Sequence, residues 1–339
     1  MRYPKFLREN DTIGAIAPSF GVSGHPYEEK YAAAKARFEE MGYKVVEAES
    51  IFNLSHARSN TAEKRAAEFM EMYLDKDVDF MLSVAGGEIM CEMLDYVDFE
   101  KLKAAEPKWF MGMSDNTIMT FLLPVLCDTA AIYGSNFGTF GMRKWDKAVK
   151  ETYQIITGKR RKQKSYRKYE IKNLTKREGH ELDGYNKKIP VVYKSLDDRD
   201  VQMKGRLIGG CLDVLLELVG TRFDKVKEFT EKYAKDGIIW YLEACDLNVL
   251  AVTRGLWQLR NAGWFNHCKG IIVGRPIHTE EIFDIDVRES LYEPLKDLNV
   301  PVIYDADFGH LPPCWSLICG CYASVEKTGD KGSITYYLK

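Results

Sequence analysis

The sequence has no long hydrophobic run. In 339 residues nothing approaches the roughly 18–20 consecutive apolar positions that span a bilayer, so no membrane contact is expected. The N-terminus, MRYPKFLREN, carries basic residues with no apolar stretch behind them. It therefore offers no secretory signal, and a cytoplasmic location is expected. An excess of one charge is also lacking: 48 Lys and Arg face 50 Asp and Glu, a net charge of −2, which argues against a nucleic-acid partner. The basic cluster GKRRKQKSYRK, starting at Gly158, is followed by acidic residues and reads as a solvated surface segment. No internal repeat and no low-complexity tract is visible.

The eight cysteines lack the pattern of a metal site. Cys314, Cys319 and Cys321 lie close together but contain no C-x-x-C pair and have no partner cluster. Most of the others sit in apolar surroundings, such as TFLLPVLCDTA, where a free thiol behaves as a small hydrophobe. A disulfide scaffold is not expected in a chain of this length without a signal peptide. Gly205–Gly210 (GRLIGG) has the glycines of a phosphate loop but not its Lys-Ser/Thr, and reads as packing or as cleft backbone.

What is present is strand and helix in alternation. Thr12–Pro18 reads as a buried strand, and 27–41 as a helix stopped by Gly42. Lys44–Glu47 reads as a strand, Asn60 with Glu63 as a capping box for a helix through Leu74, and Val78–Val84 as a strand feeding Gly86-Gly87. Trp109–Gly112 is a further strand, followed by a helix from Asn116 to Val125. After a polar, Tyr-containing stretch, strands at 237–242, 270–273 and 301–304 alternate with helices at 248–262 and 290–298. This order predicts an α/β protein: an N-terminal parallel-sheet domain over 1–158, a crossing segment over 159–200 of irregular or short β structure, and a C-terminal α/β domain over 201–339.

Three residues at the ends of strands carry the candidate chemistry. Ser114 follows a strand and precedes a helix, in Gly112-Met-Ser-Asp-Asn-Thr117. A serine on such a turn projects its hydroxyl off the sheet, with the next amides aimed at whatever it attacks. The segment departs from G-x-S-x-G in having Asn116, a residue that tolerates the left-handed conformation. Taken locally, a helix N-cap is the more common role for a serine here. His310 ends Asp305-Ala-Asp-Phe-Gly-His and precedes two prolines that would stiffen its loop. Glu243 ends an apolar strand, where a carboxylate can orient a histidine, with Asp246 as a nearby competitor. Gly86-Gly87 lets backbone amides approach a ligand closely, although a Gly-Gly pair is more often only a turn.

Taken together and in this order, these segments resemble the LD-carboxypeptidases and the related microcin-immunity serine peptidases. The resemblance runs from about Thr12 to about Gly320 and includes Gly14-Ala-Ile-Ala-Pro-Ser19, Gly86-Gly87, Lys108–Thr117, Tyr133-Gly134, Gly205–Leu212, Leu242-Glu243 and Gly309-His310. It implies a nucleophile at Ser114, an orienting acid at Glu243 and a base at His310. It also implies an oxyanion hole from the backbone of Asp115 and of Gly86-Gly87, an active site between two domains, no cofactor, and a homodimer. Ala85 before the Gly-Gly turn and Glu88 after it depart from the usual Arg and Tyr-Gly of LD-carboxypeptidases, which shifts the chain toward the immunity-type branch. Three functions follow: a serine carboxypeptidase acting on murein tetrapeptide, an amidase for peptidyl- or aminoacyl-nucleotide conjugates, and a non-catalytic binding protein of the same fold. The first needs a cation for a terminal carboxylate, with Arg206 or Arg275 as candidates. The second needs an aromatic platform, with Trp315 or a tyrosine of the middle segment. Retention of all three triad residues argues against the third.

Overall fold

The computed structural model describes residues 1–338. Five strands open the chain: β1 (Thr12–Ile16), β2 (Lys44–Glu47), β3 (Phe80–Ser83), β4 (Trp109–Gly112) and β5 (Ala131–Tyr133). Short strands follow in the middle segment: β6 (Lys162–Lys164), β7 (Lys168–Tyr169), β8 (Ile189–Pro190) and β9 (Lys194–Ser195). The remainder are β10 (Val201–Cys211), β11 (Ile238–Glu243), β12 (Cys268–Gly274), β13 (Val302–Ala306), β14 (Leu317–Cys319), β15 (Tyr322–Thr328) and β16 (Lys331–Tyr337). The helices are α1 (Tyr27–Glu40), α2 (Ala62–Leu74), α3 (Phe99–Ala104), α4 (Thr117–Cys127), α5 (Lys147–Ile156), α6 (Leu212–Leu218), α7 (Val226–Lys232), α8 (Val249–Asn261) and α9 (Val287–Leu295).

The strands form two large sheets, which makes this an α/β protein as expected. The first is six-stranded, ordered β14-β5-β4-β3-β1-β2. Its first five strands in the chain are parallel, and β14 adds an antiparallel edge against β5. β1, β3, β4 and β5 are buried at every position, as strands covered on both faces must be. The second sheet is eight-stranded, ordered β6-β16-β15-β10-β11-β12-β13-β9, with β10 to β13 parallel.

The middle segment does more than cross over. β6 and β9 close opposite edges of the second sheet, and β7 pairs with β8 in a separate ribbon. Within the basic cluster, Gln163 is buried while Lys162 and Lys164 point outward.

Two helix starts differ from the sequence reading. α2 is capped by Thr61, whose hydroxyl accepts the Lys64 N–H, because the Asn60 amide is already engaged with Ser50. α9 begins at Val287 under an Asp286 cap, and the stretch after Leu295 tightens to a 3₁₀ turn.

Helix α4 joins the two sheets. It is buried from Thr117 to Pro124 and packs on β5 of the first sheet and β10 of the second. Gly210 makes the approach feasible, since a Cβ on it would sit 2.3 Å from Thr117 Cγ2; Gly209 instead lets β10 pack against β11, where a Cβ would sit 1.7 Å from the Tyr241 carbonyl oxygen. The Thr117 hydroxyl accepts the Cys211 N–H at 3.0 Å. The glycine-rich segment is therefore packing backbone. The 3₁₀ turn Ser114–Asn116 that leads into α4 is thereby held at the seam between the sheets.

Candidate active site

Ser114, Glu243 and His310 all lie at or beyond the carboxyl ends of parallel strands β4, β11 and β13, the edge at which open α/β sheets place ligands. Ser114 has φ +64°, so the left-handed residue of the turn is the serine itself. Asn116 is right-handed, with φ −61°, contrary to the expectation from sequence. Its amide serves instead as a clamp, donating to the carbonyls of Ala85 at 2.8 Å and Met113 at 3.0 Å. Gly112 is needed beneath it, since a Cβ there would meet Asn116 Cγ at 2.7 Å.

The Gly86-Gly87 turn lies directly on this elbow. A Cβ on Gly86 would fall 2.9 Å from Ser114 Cβ and 3.2 Å from its Oγ. A Cβ on Gly87 would fall 2.0 Å from Ser19 Oγ. Asp115 turns its side chain away from the cleft, accepting from the Ser19 hydroxyl and from the Met90 N–H at 2.8 Å. Burial raises the Asp115 carboxyl above its ordinary range, against the pull of those two donors.

Glu243 and His310 are in direct contact. His310 Nδ1 donates to Glu243 Oε2 at 2.9 Å, and the glutamate is 1 % exposed. Gly309 has φ +104° and lies against this carboxylate, where a Cβ would meet Oε2 at 2.9 Å. Burial opposes the imidazolium, but the Glu243 charge and the Cys245 thiol outweigh it and raise His310 above the ordinary 6.5. For Glu243, burial acts to raise the carboxyl, yet His310, Tyr133 and Cys211 together hold it below its ordinary value. Asp246 is not the partner of His310. It lies exposed in a loop whose N–H groups at Cys245, Asp246 and Leu247 are gathered by Asp213.

Ser114 joins this pair through Tyr133. Its backbone N–H donates to the Tyr133 hydroxyl at 3.1 Å, and that hydroxyl donates to Glu243 Oε1 at 2.5 Å. Burial and the neighbouring carboxylate push the phenol well above its ordinary value, so it remains a donor. Among the described residues the Ser114 hydroxyl makes no hydrogen bond, to His310 or to any other group. Nucleophile and base commonly close to hydrogen-bond length only around substrate.

Beside the elbow lies an open cleft of about 220 Å³, whose lining includes Ala85, Gly86, Asn136, Pro312, Glu170 and Tyr185. The cations expected for a substrate carboxylate are not there. Arg206 is 4 % exposed and bonds Asp236 and the Gly320 carbonyl. Arg275 is 3 % exposed and bonds Asp307 at 2.6 Å and the carbonyls of Leu311 and Pro313, bracing the loop that carries His310. Trp315 is equally buried and donates to the Lys164 carbonyl, so it offers no stacking face. Packing consumes both guanidinium groups and the indole, which local sequence does not reveal.

Comparison with known proteins places the chain in a family. The LD-carboxypeptidase N-terminal domain matches residues 13–134, and the LD-carboxypeptidase C-terminal domain matches residues 204–325. The chain belongs to the LD-carboxypeptidase family. Among relatives in this family, "Putative carboxypeptidase YocD" of Bacillus subtilis is 26% identical over 96% of both chains. The microcin C7 self-immunity protein MccF of Escherichia coli is 25% identical over 97% of this chain and 94% of its own. An MccF-like protein from Bacillus anthracis superposes with a TM-score of 0.84 at 24% identity, covering 100% of both chains. MccF in complex with aspartyl sulfamoyl adenosine gives 0.82 at 22% identity, again over 100% of both chains. This LD-carboxypeptidase-family chain thus shares the two-domain fold of those proteins. Membership in the family carries serine carboxypeptidase activity as its family-level function.

Three residues of the site are not singled out as functional groups by the sequence: Tyr133, Cys245 and Lys30. Tyr133 ends a short buried strand, a position that signals a site only once Glu243 is known to face it.

Proposed function

We propose that this protein is a serine peptidase in which Ser114 is the nucleophile, His310 the general base and Glu243 the acid that orients it, acting on an amide bond in a small peptide. The observation that carries this reading is the Glu243–His310 hydrogen bond of 2.9 Å, connected through Tyr133 to the backbone of a left-handed Ser114. His310 Nε2 accepts the Ser114 hydroxyl proton as Oγ attacks the carbonyl carbon. The imidazolium then protonates the leaving amine, and water resolves the ester with His310 again serving as base and then as acid. Glu243 stabilises the imidazolium formed at each stage. The Ser114 amide is already bound to Tyr133, so the developing oxyanion falls to the amides of Asp115 and the Gly86-Gly87 turn. Loss of one such donor costs about 3–4 kcal/mol in the barrier. The chemistry uses no metal or organic cofactor.

The substrate we assign is a murein tetrapeptide, from which D-alanine leaves. The protein would act as a cytoplasmic homodimer, an assembly that sedimentation tests directly. A second reading, cleavage of an aminoacyl-nucleotide conjugate, is favoured by Tyr185, whose ring borders the cleft where a base would stack. Product analysis by mass spectrometry separates them, with wild type and Ser114→Ala each given a murein tetrapeptide and an aminoacyl sulfamoyl adenosine. Release of D-alanine by wild type alone supports the carboxypeptidase. Cleavage of only the conjugate selects the second reading, and equal turnover by Ser114→Ala removes the nucleophile assignment.

A further inference from the structure

The cleft beside Ser114 contains one basic side chain among the described residues that line it, Lys30 of α1. Its position is fixed by packing. A Cβ on Gly138 would lie 3.2 Å from Lys30 Cβ, and one on Gly141 would lie 2.2 Å from the Lys30 carbonyl oxygen, so these glycines let the 137–141 turn rest on the lysine. The ammonium reaches across the cleft and donates to Thr175 Oγ1 at 2.6 Å. An ammonium has three protons to donate, and this hydroxyl takes one.

Lys30 differs from the other inward-facing cations. Arg65 meets Glu92 at 3.0 Å, Arg275 meets Asp307 at 2.6 Å, and Lys108 is held by the carbonyls of Met72 and Asp75. No carboxylate among the described residues lies within 4 Å of Lys30 Nζ, although the side chain is half-buried. Burial lowers its pKa, and the more distant Glu170 charge only partly offsets this. Two of the acids around the cleft face other charged groups, and Glu170 lies beyond ion-pair distance of Lys30. Glu170 accepts the Asn186 N–H, Glu181 accepts from Gly179 and faces His25 at 3.6 Å, and Asp183 faces Arg143 at 3.3 Å and His180 at 2.7 Å. A partly desolvated cation with spare donors and no ion-pair partner is suited to an anionic ligand group. The same cleft reaches Gly86, against Ser114, and Pro312, two residues beyond His310, so one cleft joins Lys30 to the Ser114 elbow.

We propose that Lys30 binds the free C-terminal carboxylate of the peptide substrate. This assignment rests on the hydrolase reading given above. It gives the site the cation that neither Arg206 nor Arg275 supplies.

The test uses the full chain and a tetrapeptide ending in D-alanine, as the free acid and as its C-terminal amide. Calorimetry compares binding to Ser114→Ala with binding to Ser114→Ala/Lys30→Met, and turnover is followed in wild type and Lys30→Met. The expected result is that Ser114→Ala binds the acid about 10-fold more tightly than the amide, that Lys30→Met abolishes the difference, and that Lys30→Arg restores part of it. An equal preference for the acid in the Lys30→Met background overturns the assignment. So does the absence of any preference in Ser114→Ala, including failure to bind either peptide. Preferential binding of the acid through Lys30 without turnover by wild type leaves Lys30 in place and removes the hydrolase reading. Equal turnover of acid and amide does the reverse.

Discussion

The Tyr133 hydroxyl donates a hydrogen bond to Glu243 Oε1 at 2.5 Å, and the same phenol oxygen accepts one from the backbone N–H of Ser114 at 3.1 Å. One phenol therefore ties a strand end of the first sheet to a strand end of the second, at the point where the proposed nucleophile and its acid must keep register. Tyr133→Phe keeps the ring and removes both bonds. It is expected to lower stability by about 1–3 kcal/mol, because two polar groups are left unpartnered at a buried position, and to lower kcat more than it raises KM. Urea unfolding and steady-state kinetics check the two parts.

The His310–Glu243 pair sets the pH dependence. His310 is raised above 6.5 by Glu243 and Cys245, so the neutral base gains population only as pH climbs past the ordinary imidazole range. The kcat/KM profile is expected to rise on the alkaline side of pH 6.5. Glu243→Gln removes the charge that favours the imidazolium, moves this limb to lower pH, and reduces kcat by about 10³–10⁴-fold. Stability follows the same pair. The raised His310 contributes fully below about pH 6.5 and loses its contribution as pH rises through its folded-state value. The lowered Glu243 contributes above about 4.5 and loses its contribution as pH falls. A plot of unfolding free energy against pH that lacks the loss on the alkaline side, relative to Glu243→Gln, contradicts the pairing.

Ser114 is held at φ +64°, a conformation that costs a residue with a Cβ roughly 1 kcal/mol. Alanine inherits that cost and glycine does not. Ser114→Gly and Ser114→Ala are both expected to be inactive, with Ser114→Gly the more stable by roughly 1 kcal/mol. Thermal melts of the two variants decide it, and equal melting temperatures would mean that the serine is not strained.

The Arg275–Asp307 pair is buried on both sides, and Asp307 also receives the Tyr166 N–H and the Tyr193 hydroxyl. Asp307→Ala leaves the buried Arg275 guanidinium without its charge partner beneath the loop that presents His310. A loss of about 3–5 kcal/mol is expected by chemical denaturation.

Much of this arrangement is legible in the amino-acid sequence. The strand ends at Gly112 and Glu243 can be read because apolar runs buried on both faces are continuous in sequence and stop abruptly, whereas the strand read as 301–304 runs on through Asp305 to Ala306. What stays hidden depends on long-range contact. Asn116 has the side chain best suited to a left-handed turn, but its amide is drawn to Ala85 and Met113, leaving Ser114 to take that conformation. Arg206 and Arg275 read as free cations because Asp236 and Asp307 are 30 and 32 positions away in sequence. Lys30 gives no signal, since its unpaired state is a property of the cleft and α1 reads as an ordinary surface helix. The middle segment has no amphipathic period because its short strands serve as edges and cleft wall rather than as core.

The central claim, that Ser114 is a nucleophile activated by His310, is tested most directly with a fluorophosphonate probe and peptide mapping by mass spectrometry. The account predicts a single covalent adduct on Ser114 in the wild type, slowed by about 100-fold or more in His310→Ala. A folded wild-type protein that takes no label at Ser114, or His310→Ala labelled at the same rate, would contradict it.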